Sequence, residues 1–263
     1  MRDEGPTDDK ATRAGIASSY HTYFTSGHYD RRYPSPNRTT WHRICQIVTS
    51  TTHIVDFGCG SGRYLLRLQG MIGRAAGFDI SPAAIALIKE RAGQAGWDDL
   101  DILGPEPDAL QKYIERVGQV DVMLCLFGVL GHIEDADLRR DALCQMCRSL
   151  KPGTGRLLIS VPNMARRFFA EQRLAGPDAE GAIKYKRHMN GTHVVLPYQL
   201  YDPGRLCREL AEAGFELRRL NAESVLPESW LLHNGVARWI DGLLTPLCPA
   251  RWGYGIIAEA VPS

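Results

Sequence analysis

The chain has 263 residues, with 31 lysines and arginines against 30 aspartates and glutamates, for a formal net charge of +1. Hydrophobic residues make up 44% and charged residues 23%, which excludes a globally disordered chain and a protein that coats nucleic acid by bulk charge. No apolar run approaches the roughly 18 residues needed to cross a bilayer, and Met1-Arg2-Asp3-Glu4-Gly5-Pro6 lacks the apolar core of a secretory leader.

In chain order, residues 1–15 read as a polar tail. Residues 16–40 carry Tyr20, Tyr23, Phe24, His28, Tyr29 and Tyr33 before Pro34-Ser35-Pro36-Asn37, too aromatic for a linker, and predict a short packed helix and a turn. Trp41, Ile44, Ile47 and Val48 recur at helical spacing. Strands and helices then alternate. His53 to Phe57 is a buried strand and Arg63 to Gln69 a helix. Ala75 to Asp79 is a second strand, and Ser81-Pro82 caps a second helix that Gly93 and Gly96 end. Asp99 to Leu103 is a weak strand, Asp108 to Val117 a helix, and Asp121 to Phe127 a strongly apolar strand. A helix follows with Leu138, Ala142, Met146 and Leu150 on one side. Gly155 to Val161 is a fifth strand. Residues 164–200 read as irregular. Asp202-Pro203 starts a further helix, Phe215 to Leu220 is a sixth strand, and Tyr254 to Val261 a last one. This alternation predicts a parallel sheet covered on both faces, with ligand-binding loops along one edge.

The seven cysteines are irregularly spaced, which suits a reduced, cytoplasmic setting. Cys144-Gln-Met-Cys147 lies within a helical pattern and has no second pair, so it reads as structural.

Val55-Asp56-Phe57-Gly58-Cys59-Gly60-Ser61-Gly62 joins the first strand to the first helix. Glycines there let a ligand lie against bare peptide groups, and a helix behind them aims free N–H groups at it. Asp79 ends the second strand, where a carboxylate can accept from two ribose hydroxyls. A dinucleotide loop would need a third glycine where Arg63 stands, and no P-loop lysine is present. The order of Asp56, Gly58, Gly60 and Gly62, then Asp79, then Asp121 to His132, then Leu150-Lys151-Pro152-Gly153, resembles the class I S-adenosylmethionine-dependent methyltransferases.

The resemblance runs from about residue 40 to 163. It implies a Rossmann-like α/β fold with a mostly parallel seven-stranded sheet, helices on both faces and an antiparallel final strand. Together with the residues on either side, it leads us to expect a tail and aromatic lid (1–40) and a methyltransferase domain (41–263), in which the insertion at 164–200, following the fifth strand, should bind the acceptor. It implies S-adenosyl-L-methionine as cofactor. Gly58, Gly60 and nearby backbone, including Cys59 and Gly62, would hold its methionine end, with Asp56 orienting the loop and the amino group. Asp79, with Ile80 beside it, would hold the ribose, and Phe127 and Gly128 would border the donor. Many relatives place an acid after the third strand to meet adenine; here Glu106 and Asp108 are the two candidates.

No spacing of ligands suggests a metal. His132 follows the fourth strand and is a candidate base, as are His188, His193 and Tyr198. Tyr29 and Tyr33 are lid candidates, because the charged and proline residues around them resist deep burial, and Tyr29 also joins the catalytic candidates. Arg166, Arg167, Arg173, Lys184, Lys186 and Arg187 face only three acids between 166 and 188. A site for an anionic group is one reading, and Arg166, Arg187, Tyr33, His193 and Tyr198 are the acceptor-binding candidates. A solvated loop is the other. The expected acceptor is a small molecule of natural-product or metabolite type. Arg139-Arg140 with the basic insertion resembles enzymes that methylate wobble uridines in tRNA, so RNA is carried as an alternative, with a non-catalytic cofactor-binding subunit as a third reading.

Overall fold

The computed structural model describes residues 24, 25, 27–189 and 192–263; the tail, Tyr20 and Tyr23 lie outside them. A short helix α1 (His28–Arg32) leads into α2 (Arg38–Ile47), capped by Asn37, whose side chain accepts from the Thr39 and Thr40 N–H groups. Then come β1 (His53–Phe57), β2 (Arg74–Phe78), α3 (Pro82–Gln94), β3 (Asp101–Ile102), α4 (Ala109–Val117), β4 (Val122–Cys125), α5 (Ala136–Ser149) and β5 (Arg156–Pro162). The remainder comprises α6 (Phe169–Ala175), β6 (Ala182–Met189), β7 (Thr192–Gln199), α7 (Pro203–Glu212), β8 (Phe215–Ser224), α8 (Glu228–His233), α9 (Gly235–Leu244) and β9 (Gly255–Pro262).

Among the described residues the main sheet has seven strands in the order β3-β2-β1-β4-β5-β9-β8. β9 runs antiparallel to both β5 and β8, and the other pairings are parallel. The predicted sheet and its antiparallel last strand are therefore present. Side chains alternate across it, as period 2 requires. Val55 and Phe57 join one core with Leu110, Leu143 and Leu206 from α4, α5 and α7. Ile54 joins the other with Ile44 and Ile88 from α2 and α3. Cys144 and Cys147 pack against the first core, and Cys147 Sγ lies 3.3 Å from the Gly214 carbonyl.

Two local expectations fail. The helix over 63–69 is only a 3₁₀ turn, Leu65–Leu68. Leu65 and Leu68 are wholly buried, and packing is satisfied by that single turn. No α-helix dipole therefore stands behind the glycine loop. The segment 164–200 is not irregular: β6 and β7 form an antiparallel hairpin in full register. Ile183 and Tyr185 face inward with Leu196 and Tyr198, while Lys184 and Lys186 face out. The alternation is amphipathic, but its charged half disguised it as a basic loop.

Candidate active site

The loop after β1 is held by β2. Gly58 and Cys59 both donate to the Phe78 carbonyl, at 2.7 and 3.0 Å. Gly58 has φ +82°, and a Cβ there would lie 2.5 Å from both Val129 methyls, so only glycine fits. Asp79 closes the loop from outside: its Oδ2 accepts from Gly60 N–H at 2.9 Å and its Oδ1 from Ser81 N–H at 2.8 Å. Each oxygen keeps a lone pair, so the carboxylate is held in place and can still receive two hydroxyls. Burial raises the Asp79 carboxyl from its ordinary value, and N–H bonds from Ser81, Gly60 and Ile80 oppose this. Asp56 lies beneath the loop, buried, and burial together with the Asp79 charge pushes it up to about 7.

A cleft of about 1530 Å³ opens along this edge. Gly58, Gly60, Asp79 and Ile80 line it, and it continues past Phe127, Gly128 and His132 to Tyr198. Phe127 is bent to φ +61°, rare for a bulky residue, and its N–H is held by Ser160 Oγ at 2.8 Å. Gly128 lets the hairpin approach: a Cβ there would lie 2.2 Å from the Tyr198 hydroxyl. His132 stacks on Tyr198, centroids 4.3 Å apart, and its Nδ1 is 3.3 Å from the Pro197 carbonyl. A proton donated there leaves Nε2 as the basic nitrogen. These residues fit a nucleoside donor: a fixed acid, a bare backbone edge and a bordering aromatic lie in one cleft.

Tyr29 and Tyr33 are not surface residues. Tyr33 is buried against the hairpin, 4.7 Å from the Phe127 ring, and Tyr29 packs 5.1 Å from Phe24. Both line the cleft. The charged neighbours that argued for exposure are used for anchoring instead. Asp30 receives Ser61 Oγ at 2.8 Å and pairs with Arg91 at 2.6 Å, which fastens α1 to the glycine loop. Burial raises the Tyr29 phenol well above its ordinary range.

Other candidates lie elsewhere. Glu106 is exposed and does not line the cleft, where its neighbours Pro105 and Pro107 do; Asp108 pairs with Lys112 on the surface. The Cys59 side chain turns behind the loop to within reach of Gly77, and its N–H is already taken by Phe78. Gly62 does not line the cleft either; its Cβ position faces Leu66. Arg166 is exposed and donates to the Trp252 carbonyl. Arg187, His188 and His193 fall at the end of the hairpin, with His188 opposite His193 in register, and their side chains lie outside the described residues. Arg139 is buried and donates to the carbonyls of Ile133 and Glu134, so it presents nothing to RNA.

The sequence reading named Arg167 only as one of the basic residues of its insertion, and it missed the charged residues Arg63, Glu223 and Glu228. Arg63, with a side chain 4% exposed, pairs with Glu228 and lies 4.4 Å over the Phe127 ring. Glu223 lines the cleft and accepts from Thr40 Oγ1 at 2.7 Å. Burial pushes its carboxyl up to about 7; the Glu228 charge adds to this, while bonds from Thr40 and Ser160 and the Arg63 charge oppose it. Arg167 lines the cleft as well. These residues come from three distant segments, around 63, 167 and 223–228, and no local spacing marks them. The hairpin did leave a signal: Asn190-Gly191 is a hairpin-turn dipeptide.

The methyltransferase domain family matches residues 29–220, and the chain belongs to that family. Its fold is the class I fold of S-adenosylmethionine-dependent methyltransferases. Similar solved structures include the CcbJ methyltransferase from Streptomyces caelestis, with TM-score 0.59 and 14% identity over 87% of this chain and 91% of that one. A DhpI-SAM-HEP complex matches with TM-score 0.62 and 17% identity over 94% and 98%. The glycopeptide N-methyltransferase MtfA, complexed with S-adenosylhomocysteine, matches with TM-score 0.59 and 15% identity over 88% and 91%. No curated protein matches the sequence significantly. Among the described residues, no helix is long and apolar enough to cross a membrane.

Proposed function

We propose that the protein transfers the methyl group of S-adenosylmethionine directly to a small-molecule acceptor of natural-product or metabolite type. The observation that carries this reading is the continuity of one cleft, from Asp79 and Gly60 past Phe127 and Gly128 to His132 and Tyr198. The sulfonium, when bound, supplies an activated methyl and a good leaving group. The chain's own task is then to align and to exclude water. Asp79 holds the ribose hydroxyls and Gly58 and Gly60 present bare backbone to the methionine end. Tyr29, Tyr33 and Phe127 wall the transfer region off from solvent. His132 Nε2 takes the proton that a hydroxyl or amine acceptor releases as its new bond to carbon forms. The small-molecule character draws support from the names of similar structures, a glycopeptide N-methyltransferase among them, and from the buried arginine at Arg139, which removes one of the residues an RNA footprint would use.

The test is calorimetric titration with S-adenosylhomocysteine. Wild-type protein binds it, and Asp79→Ala weakens binding by about 1–3 kcal/mol through the lost charge-assisted hydrogen bonds. Unchanged affinity in a folded variant overturns the ribose assignment, and no binding by the wild type overturns the donor.

A further inference from the structure

Arg167 sits in the turn between β5 and α6, beside Phe168, which takes a left-handed φ of +58°. Its guanidinium lies 4.9 Å from the Tyr254 ring centroid and 5.3 Å from that of Phe168. Its Nε is buried with no acceptor. Among the described residues, no carboxylate pairs with its guanidinium. The carboxylate whose charge acts on it, Glu228, is engaged by Arg63, and Arg63 itself keeps a buried, unpartnered Nη1. Tyr33 and Tyr198 complete the surroundings. A cleft-lining cation with a buried Nε, aromatic neighbours and no counter-ion is costly unless an anion arrives to meet it. Guanidinium is the side chain whose planar fork matches a carboxylate or phospho oxyanion.

Position says whose anion it is. The donor groups lie at the ends of β1 and β2, whereas Arg167 follows β5, on the far side of β4 and its Phe127–Gly128 turn. We propose that Arg167 is the anchor for an oxyanion carried by the acceptor, a carboxylate or a phosphate-like group, so that the substrate is an anionic small molecule whose methylated atom lies between this anchor and the donor. This rests on the methyltransferase reading above and adds the chemical class of its acceptor. The rings of Tyr254 and Phe168 lie within cation–π distance of the guanidinium and help to position it.

The experiment uses the full chain saturated with S-adenosylhomocysteine, titrated separately with inorganic phosphate and with acetate. Wild type, Arg167→Lys and Arg167→Met are compared. The expected result is saturable binding of at least one anion by the wild type. Arg167→Met then loses about tenfold or more in anion affinity, and Arg167→Lys loses less, because it keeps the charge but not the fork. S-adenosylhomocysteine affinity stays within twofold in both variants. Arg167→Met also melts no lower than wild type without ligand, because it removes an unpaired buried charge; a merely structural arginine would lower the melting temperature. Equal anion binding by wild type and Arg167→Met overturns the proposal, as does a wild type that binds neither anion. A tenfold loss of S-adenosylhomocysteine affinity also overturns it, since the oxyanion would then be the donor's own carboxylate. Failure of the wild type to bind S-adenosylhomocysteine would instead refute the methyltransferase reading.

Discussion

The two ends of the cleft are built in different ways. The donor end is local: Gly58, Gly60 and Asp79 lie within about twenty residues, and their contacts run through backbone N–H groups and carbonyls. The acceptor end gathers Tyr33, Arg63, Arg167, Tyr198, Glu223 and Glu228 from across the chain, and its contacts run through side chains. Backbone geometry is fixed by few residue types, chiefly glycine, so the donor end constrains its sequence tightly. Side-chain geometry can be met in many ways, so the acceptor end is where one fold can serve different substrates.

The largest expected effect contrasts two glycines, Gly58 at the donor end and Gly176 after α6, outside the cleft lining. Gly58→Ala must hold an L-residue at φ +82° and push a Cβ to 2.5 Å from the Val129 methyls. Strain and overpacking together predict a loss of about 2–5 kcal/mol, read as a lower urea midpoint at unchanged slope, with S-adenosylhomocysteine binding lost in the fraction that folds. Gly176→Ala, at φ +85° and ψ 168° but with nothing within 4 Å of its Cβ position, carries only the backbone cost of that glycine-favouring region, about 1–3 kcal/mol. Equal losses would mean that the Val129 contact relaxes freely and that the donor end is less constrained than its geometry implies.

That contrast also explains what could be read from the sequence. The sheet, the glycine loop and Asp79 were legible, because buried parallel strands are short apolar runs and the loop needs bare backbone. The hairpin was hidden because Lys184 and Lys186 interleave with Ile183 and Tyr185, and charge drew more attention than alternation. Glu106 and Asp108 were candidates by their place after β3, but nothing in the local sequence says which way such side chains turn; here both are exposed and outside the cleft. Arg166 and Arg167 are neighbours of identical chemistry, and only the turn at Phe168 separates a surface donor from a cleft-lining cation. The exposure expected of Tyr29 and Tyr33 fails for a related reason. Their charged neighbours implied solvent, yet Asp30 is used to hold Ser61 and Arg91.

Burial pushes one acid at each end up to about 7, Asp56 at the donor end, where Asp79 is raised as well, and Glu223 at the acceptor end. The sign follows from linkage. A carboxyl whose folded pKa exceeds its unfolded one binds more protons in the native state. Its contribution to stability is whole below about pH 4, the unfolded range, and is lost as pH rises through about 7. Wild-type stability from urea melts should therefore carry a declining component between about pH 4 and 7. Asp56→Asn and Glu223→Gln should each remove part of that decline, on the order of 1 kcal/mol across the window. Curves parallel to wild type for either variant would show that its carboxyl is not displaced. A change only in Glu223→Gln would place the pH sensitivity at the acceptor end alone.

The smallest effect tests the seam between the ends. Asp30 fastens α1, and with it Tyr29, to the glycine loop through Ser61 and Arg91. Burial opposes ionisation of Asp30, but the bonds from Arg91 and Ser61 outweigh it and hold the carboxyl below its ordinary range. The pair is about one-third exposed on each side, so solvent and salt weaken it, and Asp30→Ala should cost no more than about 0.5–1 kcal/mol. If α1 is a lid over the donor, most of that loss belongs to binding. S-adenosylhomocysteine affinity then falls about two- to fivefold, the urea midpoint barely moves, and the gap between variant and wild type narrows as salt is raised. Trypsin cleavage after Arg31 or Arg32 should quicken in the variant and be slowed again by ligand. A midpoint that drops with affinity unchanged would make α1 a fixed part of the fold, and the cleft would then owe its closure to the hairpin alone.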